Sequence, residues 1–119
     1  MSYDIQLFRR ETKEREQQSN DGNFFDHETN LEPFTEPQYE ELKQRLLDYD
    51  YVIQSETEDN ITFTHAQYSI NVLLTHSGLY FTAGLDKESI FEAGMTASEF
   101  TDSEDFVKYD PQNAGWEEI

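Results

Sequence analysis

In "SYDIQLF", residues 2–8, Tyr3, Ile5 and Leu7 alternate with Asp4 and Gln6, the two-residue period of a half-buried strand. "RRETKEREQQSNDGN" follows without one apolar residue; it could form an exposed helical turn, but it ends in a loop-forming cluster, which predicts a mobile polar segment over about 11–23. "FFDHETNLEPF" is irregular but aromatic, and Phe24, Phe25 and Phe34 are expected to tuck it onto the core. The clearest helix lies over about 36–48, in "TEPQYEELKQRLLDYD". Thr35 can cap it, Gln38 stands three residues later as in a capping box, and Pro37 is tolerated in the first turn. Glu36, Glu40 and Glu41 come early and Lys43 and Arg45 late, the order that the helix dipole favours. Tyr39, Leu42, Leu46 and Tyr49 recur three or four apart, an apolar stripe suited to a sheet.

The period then changes to two. "YVIQSET" and "ITFTHAQ" flank "EDN" and read as a hairpin. "SINVLLTH" and "LYFTAG" read as a tighter one about Ser77-Gly78, which would set Leu74 near Phe81 and Val72 near Ala83. Ile70, Val72, Leu74, Leu79 and Phe81 would share the face beneath the helix. In "LDKESIFEAGMTA" the same period predicts a further strand over 90–96, with Phe91, Ala93 and Met95 on one side. The alternative is a short helix capped by Asp86 that buries Ile90 and Phe91. "FVKYD" is a last strand, stopped by Asp110-Pro111. The expected fold is α+β: one compact two-layer domain over 1–119, an antiparallel meander of about 5–6 strands with the 36–48 helix on one face.

Composition changes this picture in two ways. A mean hydropathy of −0.85 raises the question of disorder, but nine Phe and seven Tyr argue for a folded core. The chain of 119 residues can bury that core without staples, and it has no cysteine for disulfides, thiolate metal sites or a thiol nucleophile. Its net charge is −18, and from Glu16 onward four basic residues oppose 23 acidic ones. That field repels nucleic acid and anionic membranes and attracts cationic partners. No apolar run is long enough to span a bilayer and the start lacks a signal peptide's basic-then-apolar order, so a cytoplasmic location is expected.

No motif assigns chemistry. A calcium loop begun at Asp102 meets Phe106 and Val107 where a ligand and a glycine are required, and one begun at Asp21 fails at Phe25 and Asp26. "HETNL" places Leu31 where a second zinc-binding histidine belongs, and His65 and His76 share no ligand spacing. No nucleophile elbow or phosphate-cradling glycine loop is present. Carboxylate pairs such as Asp102 with Glu104 are expected by chance among so many acids. The basic cluster "RRETKER" is nearly cancelled by its own glutamates. The expectation is therefore no enzyme, no cofactor, no metal and no nucleic-acid partner.

What remains is "TASEFTDSEDFVKYDPQNAGW", residues 96–116. Ser98 or Thr96 can start a short acidic helix or turn here, with Glu99 and Phe100 inside it. Glu99, Asp102, Glu104 and Asp105 are the candidate docking charges, with Tyr109 and Trp116 as aromatic anchors. The "MSYDI" opening, the helix after "EPFTEPQ", the strand-rich middle and "MTASEFTDSEDFVKYDPQNAGWEEI" together resemble a group of short, acidic bacterial proteins of uncharacterised function. More distantly the layout is similar to immunity proteins of polymorphic or contact-dependent toxin systems. That resemblance implies a non-enzymatic inhibitor that docks a basic toxin-like domain. The rival expectations are a housekeeping domain and a small carboxylate enzyme.

Overall fold

The structure is a computed structural model that describes residues 3–19, 31–101, 105–110 and 115–116. Its elements in chain order are β1 (Tyr3–Arg9), α1 (Arg10–Gln18), α2 (Glu36–Asp48), β2 (Tyr51–Glu56), β3 (Asn60–His65), β4 (Ile70–Thr75), β5 (Leu79–Ala83), α3 (Lys87–Glu99), β6 (Phe106–Asp110) and β7 (Gly115–Trp116). The fold is α+β. Every strand pair is antiparallel, in the order β2-β3-β4-β5-β1-β6-β7. Strands β2 to β5 form the expected meander, but β1 breaks it by entering between β5 and β6. α3 therefore carries the chain from β5 over β1 to β6, a split β-α-β unit.

One face of the sheet presents Ile5, Leu7, Tyr51, Ile61, Phe63, Ile70, Val72, Leu74, Leu79, Phe81 and Phe106, all buried. Leu42 and Leu46 of α2 and Ala93 and Ala97 of α3 close over it as one core. Two layers result. On the opposite face Phe8 packs edge-on against Tyr80, ring centroids 5.8 Å apart, in a smaller cluster with Leu31 and Tyr109.

Local sequence dictates α2 as expected. Gln38 N–H donates to Thr35 Oγ1 at 3.2 Å, and Thr35 N–H donates to Gln38 Oε1 at 2.9 Å, a complete capping box. The first hairpin turns at the acidic spacer, where Thr57 Oγ1 accepts from the backbone of Asp59 and Asn60.

Three expectations are corrected. First, residues 10–18 form the helix α1, where the sequence favours a loop-like excursion over about 11–23; residues 20–30, with Phe24 and Phe25, lie outside the described part. Thr12 is fully buried and its hydroxyl accepts from Glu32 N–H at 2.9 Å, while Arg9 and Arg15 both reach the Glu32 carboxylate. Arg9 and Arg15 of the basic cluster are thus matched to the chain's own acids.

Second, residues 87–99 are the helix α3, so a strand over 90–96 is overturned, and Ser98 and Thr96 lie near this helix's end and start no new one. Asp86 caps it by accepting from Ser89 N–H at 3.0 Å, and the Ser89 hydroxyl together with that N–H holds the Asp86 carboxyl below its ordinary pKa. Ser89 Oγ in turn accepts from Ser69 N–H at 3.0 Å, fastening the helix start to β4.

Third, the β4–β5 register is two residues from the expected one: Leu74 stands opposite Leu79 and Val72 opposite Phe81. A slip of two preserves the buried face. Its cause is Thr75, whose hydroxyl accepts from Ser77 N–H and Gly78 N–H, so the loop is His76-Ser77 and Gly78 closes the turn opposite Thr75. Gly78 is required sterically, because a Cβ there would lie 2.7 Å from Tyr80 Cζ and 2.9 Å from Phe8 Cε1. Both rings are packed, so neither can yield cheaply. Gly78→Ala is expected to destabilise the domain by about 1–3 kcal/mol, the usual cost of overpacking. A lower urea midpoint at unchanged slope is the expected signature. An unchanged midpoint would mean the two rings have room to move.

Candidate functional site: an acidic cleft beside an exposed helix face

α3 turns its small residues inward. Ser89, Ala93, Thr96 and Ala97 are buried, while Phe91 is 69 % exposed and Met95 is 39 % exposed. Glu88, Phe91, Met95 and Glu99 recur three or four residues apart, so they form one outward stripe with Glu92 beside it. An aromatic residue exposed in mid-helix and bordered by glutamates is an unusual use of apolar surface.

Alongside this stripe lies a cleft of about 290 Å³. Its wall comes from the end of α2 and the two residues after it (Asp48, Tyr49, Asp50), from the end of β3 and the following loop (His65, Gln67, Tyr68), and from Glu92 of α3. Asp50 takes the left-handed backbone conformation, φ 70°, that ends α2 and turns the chain into β2. Aspartate tolerates that conformation better than most residues, and the Asp50 carbonyl accepts from Ala66 N–H at 3.0 Å, which joins two walls of the cleft.

His65 is 9 % exposed. Its Nδ1 accepts from the backbone N–H groups of Gln67 at 3.0 Å and Tyr68 at 3.2 Å, which places the ring proton on Nε2. No residue among those described partners Nε2. The Tyr51 ring meets the His65 ring edge-on, 4.7 Å between centroids. Tyr51 is 2 % exposed and its hydroxyl is buried without a well-formed hydrogen bond. Burial pushes the Tyr51 hydroxyl up to about 12, partly offset by the nearby Thr96 hydroxyl and reinforced by the Glu92 carboxylate. The Thr96 hydroxyl spends its one hydrogen on the Glu92 carbonyl at 2.9 Å, so toward Tyr51 it can act only as an acceptor.

The residues expected from sequence are distributed differently. Glu99 is exposed at the end of α3; its carbonyl accepts from Arg45 Nη2 at 3.0 Å, and its carboxylate, with burial, holds the Tyr49 hydroxyl above its ordinary pKa. Asp105 is exposed before β6, and its carbonyl accepts from Arg10 N–H at 3.2 Å. Tyr109 is half-buried on the sheet's other face, away from Glu99. Trp116 stands opposite Tyr109 in the β6–β7 register, its side chain outside the described part. Asp102 and Glu104 lie outside the described residues. The cleft escaped the sequence reading because its members are separated by up to 44 positions, and Phe91 escaped because a strand would have put it beside Ala93.

His76 has a structural place, stacked on Tyr39 at 5.0 Å with Nε2–H donating to the Glu58 carbonyl at 2.9 Å. Among the described residues no group of three His, Cys, Asp or Glu side chains is arranged to hold a metal ion, and no helix is long and apolar enough to cross a membrane. In comparisons with known proteins, no family model, no curated protein and no solved structure matches the chain.

The Tyr51 environment has a measurable consequence. Its folded pKa is raised above the unfolded value of 10.0, so its contribution to stability is complete below about pH 10 and is lost as pH rises toward 12. A shift of that size corresponds to roughly 2–3 kcal/mol over this range. Tyr51→Phe should flatten the alkaline fall in unfolding free energy. At pH 7 it should be neutral or stabilising, because it removes a buried hydroxyl without a partner. A loss above about 1 kcal/mol at pH 7 would show that the hydroxyl is hydrogen-bonded in solution.

Proposed function

We propose that this chain is a non-enzymatic binding protein that docks a basic protein partner through the outer face of α3. The specific form is an immunity-type inhibitor acting in the cytoplasm and covering the working surface of a cationic toxin-like domain. The observation that carries the reading is Phe91, 69 % exposed between Glu88 and Glu92 on a regular helix. An aromatic side chain held on a rigid helix loses little entropy on burial, and removing it from water is worth about 1.5–3 kcal/mol. Met95 extends the apolar patch and adapts to an irregular partner surface. The surrounding acids of a chain at −18 steer a basic surface to it.

The test uses two synthetic probes titrated into the isotope-labelled chain: an amphipathic helical peptide of arginine and leucine, and an equally charged oligoarginine without apolar residues. Amide shifts with the first probe should centre on residues 86–99. Phe91→Ala should weaken that peptide by at least about tenfold, leave oligoarginine binding unchanged, and alter stability by less than about 0.5 kcal/mol. Equal effects on both probes, or shifts centred on another surface, would overturn the reading.

A further inference from the structure

We propose that the cleft beside α3 is a subsite for an arginine side chain of the docked segment, read by its charge and by an adjacent carbonyl oxygen. This rests on the docking reading above. Asp48, Asp50 and Glu92 put three carboxylates around about 290 Å³, the low end of the range for ligand pockets, so the space suits a side chain rather than a cofactor. Three anionic groups select a cation. They do not converge as metal ligands, which leaves an organic cation.

His65 narrows the choice. It is nine-tenths buried in the cleft wall, and its Nδ1 edge is turned onto the backbone of Gln67 and Tyr68. The opposite nitrogen, Nε2–H, has no acceptor among the described residues. A bare ammonium or guanidinium cannot satisfy it, since neither accepts a hydrogen bond. An arginine within a peptide supplies both parts, with donors on the guanidinium for the carboxylates and an acceptor on its backbone carbonyl. Arginine is favoured over lysine because Tyr49 and Tyr68 also line the cleft, and a planar guanidinium stacks on aromatic rings. The chain already makes that contact internally, with Arg45 Cζ 4.6 Å from the Phe100 ring centre. Glu92 belongs both to this wall and to the border of the Phe91 stripe, so one partner segment can engage the two.

The experiment titrates N-acetyl-arginine-N-methylamide into the labelled full chain and follows the His65 ring resonances and the Gln67 and Tyr68 amides. The neutral citrulline analogue of the same shape is the control. Saturable shifts at these positions are expected, weaker by at least about tenfold with citrulline and with the double variant Asp50→Asn, Glu92→Gln. Asparagine tolerates the backbone of position 50, so this variant should keep its melting temperature within a few degrees. Equal responses to the two compounds, no saturation, or an unaltered response of the double variant would overturn the proposal. Probe binding should be indifferent to Phe91→Ala. Loss of probe binding with Phe91-dependent peptide binding intact removes this subsite alone, and the converse removes the docking reading alone.

Discussion

Ala93 and Ala97, both fully buried, let α3 lie against the middle of the sheet over Ile5 and Leu7. The chain has to carry β5 to β6 across β1, and a helix in that position can approach closely only with small side chains on its inner face. Gly94 fits the same geometry, since a Cβ there would be 3.7 Å from Ile5 Cδ1, an ordinary contact. Once the small residues are turned inward, helical spacing leaves Phe91 and Met95 no direction but outward. The exposed stripe is thus a consequence of how the second layer closes.

Charge is arranged by the same joints. α3 has no basic residue in its last turn and ends in Glu99, so its own sequence leaves the negative end of its dipole uncompensated. Arg45 of α2 corrects this from outside, donating to the Glu99 carbonyl and lying over Phe100. Lys108 of β6 donates to Ser98 Oγ at 3.1 Å beneath the helix, Lys43 pairs with Glu56 at 2.9 Å, and Arg9 and Arg15 hold Glu32. Arg9, Arg15, Lys43, Arg45 and Lys108 therefore work at contacts between elements. Among the described residues most acids face solvent, and the outward field exceeds what an even mixture of the two signs would give.

What could be read from the sequence divides along the range of the interactions. α2 was legible because Thr35, Gln38 and the Tyr39–Leu42–Leu46 stripe act within one or two turns. The hairpin across residues 57–60 was legible for the same reason. The β4–β5 register was not, because Thr75 captures the turn with a side-chain hydroxyl that strand periodicity does not register. α3 was misread since Phe91, Ala93 and Met95 fit a period of two equally well. Only the sheet beneath, which needs Ala93 and rejects Phe91, decides between the periods. The central place of β1 depends on pairings with β5 and β6 more than 70 residues away, beyond any local signal. The sequence directed attention to charge density at 99–105, whereas the cleft is assembled from the Asp48–Asp50 stretch, His65, Gln67, Tyr68 and Glu92 by tertiary contacts alone.

Around that cleft the fold accepts local terms that simpler residues would avoid. Glycine at position 50 would relieve a left-handed backbone that costs most non-glycine residues about 1–2 kcal/mol. Phenylalanine at 51 would remove an unpartnered buried hydroxyl. His65 is fixed by two backbone donors in the one tautomer that leaves a donor pointing away from them. Each feature alone is unremarkable in a domain of this size. Asp50 and His65 share the wall of one concave surface with Tyr51 packed against the His65 ring, next to an aromatic side chain that the second layer could not bury, and that conjunction is harder to attribute to chance. A surface selected only for solubility needs charge but gains nothing from an exposed phenylalanine, a locked imidazole donor or a carboxylate held at φ 70°. A surface that recognises a cationic peptide uses all three, because apolar anchoring, hydrogen-bond direction and charge are separate requirements that no single residue type meets.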